Sequence, residues 1–371
     1  MRRATWFDPR ALASFLIFAA ACRHATIIPH QIASGPHSVG CAAGDCGDPS
    51  QLVSVTYLGI SGILVERGEH ALMTAPFFSN PSFPVVRPSA LQWLRSGPRI
   101  SADSTEIERF LPRSADRASV ILVGHGHYDH LLDVPYIATH RAKSAVIFGG
   151  PSIRHMLMGD PALRSNSRRL VTIPLDAAGD ANREGNWFYS ADSAFRFMAI
   201  VAGHAPNLAI AHWGYLFADG VVSTDMDSIP RTAGEWKLGE PYAFLIDVLS
   251  DYTHRTLFRI YFQDAPSEPP LGFPSAAILA ARRMDLAILC AATASNVNAA
   301  PDSLLRVLKP AAVMVTHWES FFRSQRLPEA VGIGTDLRQF TRSLRRSLAP
   351  QAGWIIPLPH QTVRFKVLDR P

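Results

Sequence analysis

The stretch that most constrains the fold of this chain is the decapeptide GHGHYDHLLD, residues 124–133. It follows the largely apolar run ASVILV, residues 118–123, which is typical of a buried β-strand. Three histidines and one aspartate then occur within six residues. Polar groups without partners are costly in apolar surroundings, so a cluster of this density indicates a partner. For His and Asp at this spacing the natural partner is a metal ion, and further ligands have to meet this strand end.

The rest of the chain alternates apolar runs of strand length with helical patterns. The runs at residues 285–291 and 311–319 are nearly continuous in apolar residues, as in strands that are buried on both faces. Helical patterns lie between such runs, and Asp302 and Asp336 supply signals for helix N-termini. This order of elements favours two sheets covered by outer helices over one doubly wound sheet.

Composition and charge narrow the class of protein. The chain has 371 residues, of which 47% are hydrophobic, and this is ample for a sizeable core in one large domain. The formal net charge is +5, but Lys and Arg are scattered, and the basic cluster at residues 342–346 is interpreted as the solvated face of a helix. A weak basic excess without a groove-reading motif does not indicate nucleic-acid binding, so no nucleic-acid partner is expected.

The N-terminus predicts export. A basic start is followed by a short apolar run, residues 11–21, that ends in small residues and is too short to span a membrane. We therefore predict a signal peptide over residues 1–21, a flexible tether over residues 22–50, and one domain over residues 51–371. The expected location is the periplasm or the cell envelope of a bacterium.

The cysteines fit an exported protein. Cys22 follows three alanines and resembles a bacterial lipoprotein processing site, although Ala19 stands where the usual leucine would be. Lipidation of Cys22, which would anchor the protein to a membrane, and ordinary cleavage with an incidental cysteine both remain open. Cys41 and Cys46 are candidates for a small disulfide loop. Cys290 lies in an apolar run and is predicted to be a buried structural thiol.

Polar residues recur where later apolar runs end. They are His204 after FMAIVAG, Asp264 after FRIYFQ and His317 after AVMVT. A single histidine at a strand end is usually structural, so the prediction of a metal site rests on the combination. Tyr128, His212 and Trp213 are candidates for lining a pocket or for packing. Four other histidines have no companion pattern and are interpreted as structural: His24, His30, His37 and His360.

The motif HGHYDH, together with the three later positions, resembles the metallo-β-lactamase superfamily over almost all of residues 51–371. The segments VTYLGISGILVERGEHALMTAPFFSNPSF, THWESFF, LPEAV and IIPLPHQTVRF are similar to the branch that holds N-acyl-phosphatidylethanolamine phospholipase D and L-ascorbate-6-phosphate lactonase. The resemblance implies an α/β fold, a four-layer αββα sandwich of two mixed β-sheets.

The resemblance also implies a set of ligands for two divalent ions, with zinc expected and manganese or iron(II) as alternatives. The first ion would be held by His125, His127 and His204. The second would be held by Asp129, His130 and His317. Asp264 would bridge the two ions, and Asp129 would orient a bridging hydroxide and accept or relay its proton.

Two departures from the family pattern affect this prediction. Ala75 precedes Pro76 where the family usually has an aspartate, which removes a carboxylate that would orient the ligands. The bridging aspartate usually stands in Gly-Asp-Thr, whereas Asp264 is preceded by Gln263 and followed by an alanine. Asp247, which also lies in an apolar run one strand earlier, is the competing candidate.

The expected activity is metal-dependent hydrolysis of a phosphodiester, ester or lactone in a small-molecule or lipid-like substrate. One alternative is a catalytically degenerate scaffold that binds metal or ligand without turnover. A second is mononuclear iron oxygenase chemistry, as in persulfide dioxygenases, which His130 and His317 disfavour because they complete a second site.

Overall fold

A computed structural model describes residues 51–82, 99–205 and 218–367. The predictions for the signal peptide, the tether, Cys22 and the disulfide between Cys41 and Cys46 therefore lie outside the described residues. The same holds for His212 and Trp213 and for three of the histidines that were interpreted as structural: His24, His30 and His37.

Fourteen strands in the described part of the chain form two sheets of seven strands each. The first sheet contains β1 (Leu52–Gly59), β2 (Gly62–Arg67), β3 (His70–Thr74), β4 (Ala118–Leu122), β5 (Val146–Gly149), β6 (Leu170–Thr172) and β14 (Thr362–Lys366), in the order β14-β1-β2-β3-β4-β5-β6. The second contains β7 (Phe188–Tyr189), β8 (Phe195–Val201), β9 (Tyr242–Leu249), β10 (Thr256–Gln263), β11 (Leu286–Cys290), β12 (Ala312–Thr316) and β13 (Gly353–Ile355), in the order β13-β12-β11-β10-β9-β8-β7.

Both sheets are mixed, and they share one pattern of strand directions. In the first sheet the pairs from β14 to β3 are antiparallel and those from β3 to β6 are parallel. In the second sheet the pairs from β7 to β10 are antiparallel and those from β10 to β13 are parallel. The two sheets therefore repeat one architecture, although β14 of the first sheet comes from the C-terminal end of the chain.

The helices in the described part of the chain are short, with 3 to 11 residues each. They are α1 (Ser104–Phe110), α2 (Tyr128–Leu131), α3 (Val134–Tyr136), α4 (Pro151–Leu157), α5 (Pro161–Ser165), α6 (Ala276–Ala281), α7 (Asp302–Leu308) and α8 (Leu337–Ser347). A π-helical turn, Ile137–Arg141, continues α3. Among the described residues, no helix has both the length and the apolar character needed to cross a membrane.

The side chains of each sheet divide between two hydrophobic clusters, which defines four layers. In β2, Ile63 and Val65 belong to a cluster that contains residues of both sheets, whereas Leu64 packs in a second cluster with Ile107 of α1. This alternation follows from the two-residue period of a strand. The helices α6, α7 and α8 cover the second sheet through residues such as Leu305. The layers run helices, sheet, sheet, helices, so the predicted α/β four-layer architecture is confirmed.

Of the two helix signals in the sequence, Asp336 caps its helix and Asp302 does not. The Asp336 carboxylate accepts a hydrogen bond from the Gln339 backbone N–H at 2.8 Å and caps α8 as predicted. Asp302 instead begins α7 without capping it, because its carboxylate binds Arg346 of α8 at 2.8 Å. The charge of Asp302 thus ties two helices together.

The strand directions explain why the predicted site residues meet. Strands β8 and β10 are both antiparallel to β9, and β10, β11 and β12 are mutually parallel. The C-terminal ends of β8, β10 and β12 therefore lie at one edge of the second sheet, and His204, Asp264 and His317 follow these ends. The C-terminal end of β4 carries the HGHYDH motif from the first sheet to the same place.

Candidate metal centre

The HGHYDH motif leaves β4 as an extended segment and then turns into the short helix α2. His127 stands just before the helix, and its carbonyl accepts hydrogen bonds from the backbone N–H groups of His130 at 2.9 Å and Leu131 at 3.0 Å. This turn brings His130 beside His125, whose ring centroid lies 4.1 Å from that of His130.

All seven predicted ligands lie in one cluster, in which six are buried and His204 is half-buried. They form three overlapping groups in which one ligand atom per residue lies within 4.8 Å of the others. The groups are His125, His127 and His204; His125, His130 and Asp264; and Asp129, His130 and His317. The first and third groups have the same members as the two ligand sets that the family resemblance implies, and the middle group joins them.

The two carboxylates lie between imidazoles. Asp264 Oδ1 is 3.1 Å from His125 Nδ1, and Asp264 Oδ2 is 3.8 Å from His130 Nδ1. Asp129 Oδ2 is 3.2 Å from His317 Nε2 and 3.5 Å from His130 Nε2. Asp264 therefore faces residues of both outer groups, which is the position that a bridging carboxylate needs.

Several polar atoms of this cluster are buried without a hydrogen-bond partner among the described residues. They are both ring nitrogens of His125, Nδ1 of His130, Nδ1 of His317 and Oδ2 of Asp264. Buried polar atoms in proteins are nearly always paired, and a group of unpaired nitrogen and oxygen atoms in one place is a ligand set for a cation. The residues present thus fit a bound metal.

The protonation states of the cluster also fit a cation. Burial lowers the pKa of His127 to about 3, and the neighbouring His125 shifts it in the same direction. Burial likewise lowers the pKa values of His130 and His204 well below the ordinary value. Burial alone would raise the pKa of Asp129, but His130 and the hydrogen bond with His317 outweigh it, so this pKa lies below its usual range. Neutral imidazoles and an ionised carboxylate are the forms that bind divalent metals.

Asp264 and its competitor Asp247 have different surroundings. The Asp247 carboxylate is fully buried and forms hydrogen-bonded ion pairs with Arg259 at 2.7 and 2.8 Å and with Arg196 at 2.8 Å. It also accepts a hydrogen bond from the Thr256 hydroxyl at 2.9 Å. Asp247 is thus satisfied within the second sheet, whereas Asp264 points into the histidine cluster.

Gly124 allows the close approach of Asp264 to the end of β4. A Cβ atom at this position would lie 2.2 Å from Asp264 Oδ2 and 2.5 Å from both Cγ and Oδ1. Real Cβ contacts essentially never fall below 3.0 Å. Gly124, the first residue of the decapeptide, therefore has a steric role: the absence of a side chain leaves room for the Asp264 carboxylate.

The position of Ala75 is buried and has no carboxylate, and its backbone N–H donates to the Leu122 carbonyl at 2.8 Å.

A different aspartate holds the segment that follows Ala75. Asp133, the last residue of the decapeptide, accepts hydrogen bonds from the backbone N–H groups of Phe78 at 2.6 Å and Ser79 at 3.0 Å, and from the Ser79 hydroxyl at 2.5 Å. Burial raises the pKa of Asp133 to about 6, against the effect of these hydrogen bonds.

Sequence reasoning missed the roles of Asp133, Gly124 and Glu319. Asp133 lies about one helical turn after the last ligand of the motif and directly follows two leucines. This position indicates a buried carboxylate that organises the motif. Glu319 stands two residues after His317, close to the end of an apolar strand, which was a similar signal. Both carboxylates are buried, at 0% and 3% exposure.

Aromatic side chains surround one side of the cluster. The Tyr128 ring lies 6.0 Å from that of Phe77 and 6.3 Å from that of Phe321, which in turn lies 5.2 Å from the His317 ring. Tyr128 therefore packs among aromatic rings beside the ligands. Elsewhere, Cys290 is a buried free thiol, as predicted.

His360 has a structural contact far along the chain from the motif. Its ring stacks on Phe110, with 5.1 Å between the centroids and 8° between the planes. Its placement agrees with the structural interpretation from the sequence.

Comparisons with known proteins give similar solved structures only. No family model matches the chain, and no curated protein matches it. The chain is similar to Igni18, a metallo hydrolase from the archaeon Ignicoccus hospitalis, with 16% identity over 85% of this chain and 99% of that chain and a TM-score of 0.45. It is also similar to the metallo-β-lactamase fold protein YhfI from Bacillus subtilis, with 11% identity over 85% and 100% of the two chains and a TM-score of 0.43. For an isothiocyanate hydrolase from Delia radicum gut bacteria the values are 14% identity, 84% and 99% coverage, and a TM-score of 0.44.

Proposed function

We propose that the protein is a metal-dependent hydrolase whose buried cluster of histidines and aspartates holds two divalent ions. The observation that carries this proposal is the convergence of the seven residues, of which His125, His130, His317 and Asp264 bury ring nitrogens or a carboxylate oxygen without a hydrogen-bond partner among the described residues. Imidazole and carboxylate ligands suit zinc, which is the expected ion, with manganese or iron(II) as alternatives.

The three overlapping groups suggest how the ligands divide. The first ion would be held by His125, His127 and His204. The second would be held by Asp129, His130 and His317. Asp264 would serve both ions, because its two oxygens face His125 and His130, which belong to different sets.

Two bound divalent ions would supply an activated water nucleophile and polarise the bond under attack. The chain contributes an oriented ligand shell. The Asp129 carboxylate stays ionised at neutral pH because its pKa is lowered, so it can accept a hydrogen bond from a water molecule and orient it. The imidazoles of His127, His130 and His204 stay neutral and available as ligands, because their pKa values are lowered.

The substrate class is proposed from the sequence. Residues 55–83 and 316–322 resemble the branch that holds the phospholipase D and the lactonase, and this favours a phosphodiester, ester or lactone in a small-molecule or lipid-like substrate. The scattered basic residues give no support for a nucleic-acid substrate.

The experiment that tests this function is metal analysis combined with hydrolysis assays on phosphodiester, ester and lactone probes. Wild-type protein should carry two divalent ions per chain and hydrolyse at least one class of probe. The variant His125→Ala should lose metal and activity, because His125 belongs to two of the three groups. His140→Ala is the matched control, since this exposed histidine stacks on Tyr136 and lies outside the cluster. Normal metal content and activity in His125→Ala would end the proposal.

A second candidate is a degenerate scaffold that binds metal without turnover. It is favoured by Ala75, which leaves the buried position before Pro76 without the carboxylate that the family pattern has there. The same experiment separates the two functions: two bound ions with no hydrolysis of any probe would support the scaffold. A single bound iron would instead support oxygenase chemistry.

We also propose that the chain is exported and that its mature form begins at or near Cys22, with residues 22–50 as a tether. Mass spectrometry of the protein from cell fractions tests this. A mature N-terminus at Cys22 with an added lipid mass would support anchoring, whereas an intact N-terminus in the cytosol would contradict export.

A further inference from the structure

Glu319 is a buried carboxylate that contacts the β1–β2 turn rather than the metal cluster. It accepts a hydrogen bond from the Ile60 backbone N–H at 2.6 Å, and its two oxygens lie 2.6 and 2.5 Å from the Tyr57 hydroxyl. We propose that Glu319 is a positioning residue that fixes the backbone of His317 and thereby sets the affinity of the second metal group. This inference rests on the proposed function, in which His317 is a ligand.

Two short routes connect Glu319 to the backbone of His317. The His317 backbone N–H points at the Ile60 carbonyl, 2.6 Å away, and at the Tyr57 hydroxyl oxygen, 3.0 Å away. Ile60 and Tyr57 are the same two residues that donate hydrogen bonds to Glu319. A single carboxylate therefore holds both acceptors of the His317 N–H.

The backbone conformations in this contact need such support. Ile60 has a φ of 56° and His317 a φ of 52°, so both lie in the left-handed region. For a β-branched residue such as Ile60 this conformation is a genuine outlier. Such conformations persist only where the surrounding structure holds them in place, and they cluster at functional sites. Glu319 holds the Ile60 backbone through the Ile60 N–H, and the Ile60 carbonyl in turn accepts the hydrogen bond of the His317 N–H.

The orientation of the imidazole ring depends on the backbone more strongly for His317 than for His204. His204 Nδ1 is held by the carbonyl oxygen of Ala205 at 2.7 Å. His317 Nδ1 has no hydrogen-bond partner among the described residues, and its Nε2 faces Asp129. Without an outer hydrogen bond to orient the ring, the direction of the His317 side chain has to come from its backbone and from the packing of Phe321.

The test is the affinity of each metal ion in the full chain, measured by competition with a chromophoric chelator. Glu319→Gln keeps the shape of the side chain but removes the charged acceptor. We expect the dissociation constant of the second ion to rise about 10–100-fold, as on loss of other residues that orient ligands, while that of the first ion stays unchanged. An unchanged second dissociation constant would overturn the inference.

Glu106→Gln is the matched control. Glu106 is a buried glutamate that binds Ser324 at 2.9 Å and Arg326 at 2.6 Å, so it anchors the same loop without contacting Ile60 or Tyr57. Both variants should lower the thermal stability of the metal-free protein, but only Glu319→Gln should change the affinity for the second ion. Equal weakening of the second site in both variants would mean that loop stability alone matters, which would also overturn the inference.

Tyr57→Phe provides an independent variant if Glu319→Gln does not fold. It removes the hydroxyl that links Glu319 to His317, so it should weaken the second site in the same direction. In the double variant the two effects should be less than additive, because the residues act through one set of contacts. Wild-type protein that binds no second ion would refute the proposed function together with this inference, whereas two tight ions in wild type and in all variants would refute the inference alone.

Discussion

Gly124→Ala is a steric test of the position of Asp264. The new methyl group would lie 2.2 Å from Asp264 Oδ2, whereas ordinary contacts begin near 3.4 Å. Either the carboxylate or the end of β4 would have to move by about 1.2 Å, from 2.2 to 3.4 Å. A misplacement of about 1 Å in a catalytic arrangement can reduce turnover roughly 100-fold, and overpacking typically costs about 1–3 kcal/mol of stability. The variant should therefore fold but bind metal weakly and hydrolyse slowly.

Gly203→Ala is the control for this prediction. Gly203 also directly precedes a proposed ligand, and neither glycine lies in the left-handed region, so alanine adds no backbone strain at either site. The atom nearest to a Cβ at Gly203 would be Leu271 Cδ1 at 3.1 Å, the end of an exposed and flexible side chain, and the next is Ser267 Cβ at an ordinary contact distance of 3.7 Å. Metal content, probe hydrolysis and urea unfolding should be close to wild type in Gly203→Ala. Wild-type metal affinity and turnover in Gly124→Ala would refute the reasoning, since Asp264 could not then lie against the strand end.

Three further substitutions test the remaining carboxylates. Asp264→Asn should keep the fold and weaken the second ion most, which metal titration would detect; a wild-type titration curve would speak against a bridging role. Asp247→Asn removes one partner of the buried pair with Arg259 and should cost about 3–5 kcal/mol in urea unfolding. The Asp133 carboxyl should keep its proton up to about pH 6 in the folded chain, because its pKa is raised from 3.8 to about 6. The protonated carboxyl therefore contributes fully to the free energy of unfolding below pH 3.8, and this contribution is lost as the pH rises through 6. The stability of metal-free wild type relative to Asp133→Asn should then fall by about 3 kcal/mol as the pH is raised, and a pH-independent difference would contradict this.

The sequence predicted the strands and the ligand cluster because both depend on local pattern. The apolar run before His125 marked β4, and the alternation of His125 and His127 set their common direction. His204 and His317 could be placed because each directly follows the end of an apolar run, and strands of one direction end at one edge of a sheet. Two short strands, β7 with two residues and β13 with three, leave little room for a pattern and were missed.

What the sequence could not supply is the register between strands. Asp247 and Asp264 both belong to apolar stretches, and their spacing gives no reason to prefer one as the bridging residue. The structure separates them because Asp247 lies directly opposite Arg259 on β10 and Arg196 on β8. Those cross-strand pairs satisfy one carboxylate in the sheet, while the other lies beyond its last strand residue and remains available to a metal.

The centre belongs to neither half of the fold alone. Each half supplies seven strands with the same pattern of directions, but each of the three ligand groups combines residues from both halves. The first sheet contributes the HGHYDH motif, and the second contributes His204, Asp264 and His317. One hydrophobic cluster contains residues of both sheets, so the packing of the sheets holds the two ligand-bearing edges together. Bound ions would add a further link between the sheets, and the β1–β2 turn held by Glu319 is one of the places where this packing reaches a ligand.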